Sequence, residues 1–175
     1  MPMSIRPATL DDCSAIANVQ IEGWRTTYRG IVRDEYLDAM SHERQTANWM
    51  INLRQAQQIA FVAEKEDHAV AAFANGGPER TGRSDFRGEL YAIYMLEEYR
   101  RQGLGRRLFS RFVERMSESG MGSILVWVLA DNPCRRFYET LGAKLVSERN
   151  IEIDGQKLRE VAYGWDHVRL PETEG

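Results

Sequence analysis

Apolar positions along the chain switch between two periods, and the switches mark out its elements. Leu104, Leu108 and Phe112, with Phe109, Val113 and Met116, recur at helical spacing and predict an amphipathic helix that Gly120-Met121-Gly122 ends. Nearer the start, Ser4-Ile5-Arg6 reads as a short strand. Ile16, Val19 and Gln20 then carry a helix towards Trp24. Its entry is Thr9-Leu10-Asp11-Asp12, where Thr9 or Asp11 offers a capping oxygen. A second helical stretch spans about Arg33 to Arg54 on Tyr36, Leu37, Met40, Trp49, Met50 and Leu53, with an inner boundary near Met40-Ser41-His42.

From Ile59 onward the pattern is that of strands. Ile59–Ala63 and His68–Phe73 flank the polar turn Glu64–Asp67. Asn75–Arg87, rich in Gly, Pro and charge, reads as a loop, and Gly88–Leu96 as the next strand. Ser123–Leu129 is almost continuously apolar, as in a strand buried on both faces, and this places Trp127 in the core. Pro133 precedes a short helix, Cys134–Leu141, ended by Gly142. Lys144–Ile153 and Leu158–Trp165 form a hairpin about Asp154-Gly155, and Pro171–Gly175 should fray. The order implies an α/β (α+β) sheet with helices on both faces and a right-handed strand–helix–strand crossover.

Composition narrows the function. The 175 residues suit one domain, 1–175, with its core at about 4–166, and a net charge of -3 gives no general reason to expect a nucleic-acid partner. Cys13 and Cys134 are too few and too distant for a zinc site or a disulfide framework, so no metal is expected. No signal core and no apolar run long enough to span a membrane stand out, which points to the cytoplasm. A homodimer is compatible with all of this.

The most informative segment is Arg100-Arg101-Gln102-Gly103-Leu104-Gly105-Arg106, between a strand and a helix. Glycines there let backbone approach a ligand, and free amides at a helix start suit a pyrophosphate. Arg106 and Arg107 sit in the first turn, where the helix dipole disfavours cations unless an anion joins them. The plainer reading is a tight turn whose arginines pair with Glu97 and Glu98. A P-loop would need a lysine that is absent, and a dinucleotide fingerprint would need a small residue where Leu108 stands.

Arg100-x-x-Gly103-x-Gly105 resembles the signature of the GNAT family of N-acetyltransferases, Arg/Gln-x-x-Gly-x-Gly/Ala after the fourth strand. Asn132-Pro133-Cys134-Arg135-Arg136-Phe137-Tyr138 onward is similar to the family's Asn-x-x-Ala-x-x-Phe-Tyr segment, with Arg135 where Ala is common. Glu97 replaces a common Pro before the turn. The resemblance covers about Ile5 to Trp165. It implies a GNAT-like, mostly antiparallel sheet of about seven strands whose fourth and fifth members splay.

By that resemblance, acetyl-CoA is the cosubstrate and a small-molecule amine the acceptor. Backbone of Tyr94, Met95 and Leu96 would hold the pantetheine arm, and residues Arg100, Arg101, Gln102, Gly103, Leu104, Gly105 and Arg106 the pyrophosphate. Asn132 would bond the pantetheine or cap a helix. Tyr138 would donate to the leaving thiolate, its alternative being a core tyrosine. Glu89 would be the base, its alternative being a strand-end carboxylate paired with Arg87. Glu22, Trp24, Tyr28 and Arg29 would meet the acceptor, although Trp24 and Tyr28 equally suit core packing. Acetylation of a protein terminus or lysine, and a noncatalytic acyl-CoA sensor, are the competing readings.

Overall fold

In a computed structural model, which describes residues 3–83 and 85–168, the chain forms one seven-stranded sheet flanked by helices. The elements are β1 (Ser4–Pro7), α1 (Cys13–Tyr28), α2 (Asp34–Asp38), α3 (His42–Asn52), β2 (Ile59–Glu64), β3 (Val70–Pro78) and β4 (Gly88–Met95). They continue with α4 (Leu104–Glu118), β5 (Ile124–Leu129), α5 (Arg136–Thr140), β6 (Lys144–Ile153) and β7 (Gln156–Trp165). The strand order is β1-β2-β3-β4-β5-β7-β6, antiparallel except for the parallel β4–β5 pair. The expected fraying of Pro171–Gly175 concerns positions outside the described residues.

Strand alternation sends side chains to two separate cores. Phe61, Ala63, Ala72, Ala74 and Leu90 pack on one face against α4, whose Leu104, Leu108, Phe109, Phe112, Val113 and Met116 are all buried. Val62 and Phe73 point the other way, to Ile16, Ala17 and Val19 of α1 and Trp49 of α3. At the sheet's first edge Arg6 donates to both Asp12 and Glu64, joining β1, the start of α1 and β2. Asp12 also accepts from the Thr9 amide at 2.8 Å, so the expected helix entry is held, with Thr9 rather than Asp11 at the capping position.

The second helical stretch breaks at its expected inner boundary, because the Ser41 hydroxyl accepts from the Arg44 amide and starts a new helix at His42. One expectation needs correction. Asn75–Pro78 is strand rather than loop: β3 runs on and pairs with β4 across a bulge opposite Asn75 and Gly76. Only glycine fits at position 76, since a Cβ there would lie 2.2 Å from the Glu89 carbonyl oxygen and 2.5 Å from Phe112 Cζ. Gly76→Ala should therefore cost about 2–3 kcal/mol, the upper part of the usual range for overpacking. Thermal unfolding should read it as a loss of roughly 5–10 °C for a chain of this size.

Candidate active site

The parallel pairing of β4 with β5 covers only Gly88–Ile124, Glu89–Leu125 and Leu90–Val126. Beyond Leu90 the two strands part. β4 continues with β3 while β5 continues with β7, and a cleft of about 800 Å³ opens between them. The bulge contributes to this divergence, since Tyr91 is the extra residue of β4 between partners Leu90 and Ala92.

The parting leaves backbone groups without a ladder. The Leu96 amide donates to the Ala71 carbonyl oxygen at 2.9 Å. Antiparallel pairs alternate, so Tyr94 and Ala92 also bond towards β3, and Ile93 and Met95 turn their N–H and C=O groups to the cleft. Met95 is thus cleft-facing backbone as expected, with Ile93 beside it in place of Tyr94 and Leu96. Tyr94 still lines the cleft, whereas Leu96 is taken up in the β3 contact.

At one end of the cleft lies the turn into α4. Gly103 is the residue before the helix, with φ 75° and ψ -2°, and Arg101 is also left-handed at φ 60°. The first helical bond of α4 runs from the Arg107 amide to the Gly103 carbonyl. The amides of Leu104, Gly105 and Arg106 consequently have no helical partner, a donor set suited to an anion. Arg100, Arg101, Gly103, Gly105 and Arg106 line the cleft. Gln102 and Leu104 do not: the Gln102 amide donates back to the Glu98 carbonyl, and the Leu104 side chain is in the core. The Arg100 guanidinium is drawn aside, donating to Thr26 at 2.8 Å and Thr27 at 3.2 Å, and so binds the turn to α1. Pairing of these arginines with Glu97 or Glu98 does not occur among the described residues.

The middle of the cleft is a cluster of phenols. Tyr138, 9% exposed, is packed by Phe137, Tyr163 and Trp165 at centroid distances of 5.5, 6.0 and 6.3 Å. Trp165 in turn donates to the Leu141 carbonyl at 3.0 Å, and Tyr163 to Glu139 at 2.8 Å, so β7 fixes the C-terminal end of α5. Burial, reinforced by the nearby Tyr28 and Cys134, pushes the Tyr138 phenol well above its ordinary pKa. It is a neutral donor throughout the physiological range. The Tyr28 and Tyr94 hydroxyls lie 3.4 Å apart, and burial raises the pKa of both. Asn132 joins this group by donating to Tyr28 at 3.2 Å, while its carbonyl accepts from the Cys134 amide at 2.7 Å.

Glu89 is placed differently from expectation. It is 2% exposed and does not line the cleft, and its partner is Arg80 rather than Arg87. The Arg80 guanidinium donates to one carboxylate oxygen at 2.8 Å and the Arg80 amide to the other at 2.9 Å. Both oxygens are engaged, in a buried position, by a residue already cationic. That arrangement leaves Glu89 without access to an amine in the cleft. Of the expected acceptor residues, Tyr28 alone lines the cleft. Trp24 packs against Tyr28 at 4.8 Å and Tyr36 at 6.2 Å, Glu22 pairs with Arg25, and Arg29 pairs with Asp34 and Asp38.

Several lining residues were not singled out from the sequence, among them Thr27, Tyr91, Ile93, Cys134 and Phe137. Trp127 packs against the buried Phe86, Leu125 and Ala162 as a core residue, but it also lines the cleft, because β5 has lost its β4 neighbour at that level. The bulge at Tyr91 had a signal in the sequence, the Gly76-Gly77 pair that allows two strands to approach closely.

A sheet opened between parallel β4 and β5, with a glycine-led helix start at the opening, defines an acyltransferase architecture. The chain belongs to the acetyltransferase (GNAT) family, whose model matches residues 20–143. It is 39% identical over 171 residues, 98% of this chain and 97% of the relative, to the uncharacterized N-acetyltransferase YuaI of Bacillus subtilis. It is 23% identical over 142 residues to spermidine N(1)-acetyltransferase of Thermoplasma acidophilum, covering 75% of this chain and 81% of that one. Among solved structures, the PaiA N-acetyltransferase of Thermoplasma acidophilum in complex with coenzyme A has the same fold. Its TM-score is 0.71 at 20% identity, over 94% of this chain and 100% of that chain. The protein is thus an acyltransferase enzyme of the N-acetyltransferase type. No helix among the described residues is long and apolar enough to cross a membrane.

Proposed function

We propose that the protein transfers an acetyl group from acetyl-CoA to the amine of a small-molecule acceptor, by direct attack on the thioester. The observation that carries this reading is the cleft itself: unpaired backbone of Ile93 and Met95 in its wall, and three free amides at its α4 end. The coenzyme-A complex of the structural neighbour and the spermidine relative support the donor and the acceptor class respectively.

When bound, acetyl-CoA would supply a reactive thioester and an anionic diphosphate. The residues present fit both. The amides of Leu104, Gly105 and Arg106 match the diphosphate, and the Arg101 and Arg106 side chains add positive charge. Ile93 and Met95 offer backbone groups to an extended arm, as one strand does to the next. A main-chain N–H from this pair is also a donor for a carbonyl oxygen that gains charge, an effect worth a few kcal/mol in other enzymes. Tyr138, held neutral by burial, donates a hydrogen bond to the departing sulfur. The proton lost by the nitrogen ends on the thiol.

No carboxylate lines the phenol half of the cleft among the described residues, and Glu89 is occupied by Arg80. The amine therefore arrives neutral from solvent or loses its proton through water. The sign of the pH dependence follows. Because the Tyr138 pKa is raised, its proton stays on across the assay range, and no alkaline limb from it is expected below about pH 10. The value of kcat/KM should rise with pH until the acceptor's own amine pKa is passed. Glu89→Gln should leave the shape of that profile unaltered. Loss of the acidic limb in Glu89→Gln would restore Glu89 as the base. The function itself is tested by free-thiol release and product mass with acetyl-CoA and a panel of amines, where an inert protein would reject it.

A further inference from the structure

The Arg100 side chain starts in the turn before α4 and ends on α1. Its Nη2 donates to Thr26 Oγ1 at 2.8 Å and to Thr27 Oγ1 at 3.2 Å, across 74 and 73 residues of sequence. One guanidinium nitrogen of this kind carries two hydrogens, one for each threonine. The Thr26 hydroxyl directs its own proton into α1, donating to the Glu22 carbonyl at 2.8 Å, so it turns lone pairs to the arginine. Among the hydrogen bonds of the described residues, these two alone join α1 to the segment 97–106. Arg100 makes no ion pair among the described residues, so no carboxylate competes for this guanidinium.

The two threonines sit where α1 delivers its one contribution to the phenol cluster. Tyr28 follows them, accepting from Asn132 at 3.2 Å and lying 3.4 Å from the Tyr94 hydroxyl. Thr27 is buried and lines the cleft beside Tyr28, whereas Thr26 is exposed and does not. Higher in the helix, Gly23 lets α1 come close to β4, since a Cβ there would lie 2.9 Å from Tyr94 Cδ1. Gly23 therefore sets how near α1 stands to the sheet. The Arg100 bonds set where its last turn stands relative to the helix start that carries the free amides of Leu104, Gly105 and Arg106.

We propose that Arg100 is a positioning residue: through Thr26 and Thr27 it holds the last turn of α1, and Tyr28 with it, in register with the coenzyme turn, and so aligns the acceptor nitrogen with the thioester. The inference rests on the acetyl-transfer reading above and deepens it. The family resemblance gives Arg100 to the pyrophosphate, and its bonds to α1 give it a different part. Alignment is costly to lose, since a displacement of about 1 Å can lower a rate by about 10²-fold. Loss of the tie should therefore fall on kcat, while the α4 amides still seat the coenzyme.

The test removes the tie and leaves the arginine in place. In the double variant Thr26→Val/Thr27→Val, kcat with a good acceptor from the amine panel should fall about 10-fold. The Kd for coenzyme A, read by calorimetry, should stay within about 3-fold of the parent. Thr26→Val alone changes a side chain outside the cleft and should still lower kcat, and Thr26→Ser, which keeps the hydroxyl, should restore it. Arg100→Gln should lower kcat about as much as the double variant. Combining all three changes should lower it no further, because both removals cut the same tie. A merely structural role would lower Tm and leave kcat of the folded enzyme where it was. Unchanged kcat in the threonine variants would overturn the proposal, as would additive losses in the combined variant. So would an Arg100→Gln protein whose Kd for coenzyme A rises about 10-fold at unchanged kcat, which would make Arg100 a phosphate ligand. The threonine variants carry the test even if Arg100→Gln fails to fold. A parent protein that binds coenzyme A but acetylates no acceptor would overturn this proposal together with the transfer reading. An active parent whose threonine variants are equally active overturns this proposal alone.

Discussion

Replacing Tyr138 by phenylalanine is expected to lower turnover by about 10²-fold, with little change in stability. The ring is held by Phe137, Tyr163 and Trp165, and phenylalanine preserves those contacts. Only the hydroxyl is lost, and with it the neutral donor placed in the cleft. Because burial raises the Tyr138 pKa far above that of an ordinary thiol, its contribution is a hydrogen bond to the developing thiolate rather than early release of its own proton. The loss should fall mainly on kcat, since the ground-state thioester sulfur is a weak acceptor and the interaction strengthens only as charge develops. Steady-state kinetics of the variant with a good acceptor decide the matter. Unchanged turnover would remove Tyr138 from the chemistry and leave it as a core aromatic.

The second large effect is expected at the turn. Gly103 has φ 75°, and a Cβ built there meets nothing within 4 Å, so the constraint on position 103 is conformational rather than steric. Valine in the left-handed region costs more than the roughly 1–2 kcal/mol typical of non-glycine residues, because its branched side chain crowds its own backbone. The turn should relax to a negative φ and swing the amides of Leu104 to Arg106 out of line. Gly103→Val is therefore expected to raise KM for acetyl-CoA by about 10-fold or more while kcat at saturation changes far less. The melting temperature should drop by only a few degrees, since the turn is exposed and contributes little to the core. An unaltered KM would mean that the turn does not seat the diphosphate.

The parts of the fold legible in the sequence are those where one physical effect dominates. Six apolar side chains at helical spacing can bury in only one way, so α4 follows from Leu104 to Met116 alone. The Asp154-Gly155 turn likewise fixes the β6–β7 hairpin, both residues being left-handed. Asn75-Gly76-Gly77-Pro78 misled for the opposite reason. Glycine and proline commonly punctuate loops, but here Gly76 admits the Glu89 carbonyl and Phe112 at distances that no other residue allows. The information that decides between these readings lies 13 and 36 residues away, not in the local pattern.

The candidate site divides along the same line. Its coenzyme half was readable because the turn places consecutive residues together, as at Arg101, Gly103, Gly105 and Arg106. Its acceptor half depends on tertiary neighbours. Glu89 looks like an available strand-end carboxylate until Arg80 folds back onto it from the preceding segment. Trp127 packs on the core as its continuously apolar strand suggests, and only the divergence of that strand's neighbour gives it a cleft-lining part as well. Arg100 looks like a phosphate ligand until Thr26 and Thr27 of α1 accept its guanidinium. Each reassignment turns on a neighbour that the local sequence pattern does not show.

Titration calorimetry of the purified protein with coenzyme A tests the central claim most directly. One molecule of coenzyme A per chain should bind in the micromolar range, about -8 kcal/mol, with affinity reduced about 10-fold or more in Gly103→Val. A folded protein that gives no binding heat with coenzyme A at several temperatures, and whose melting temperature excess coenzyme A does not raise, would contradict the account.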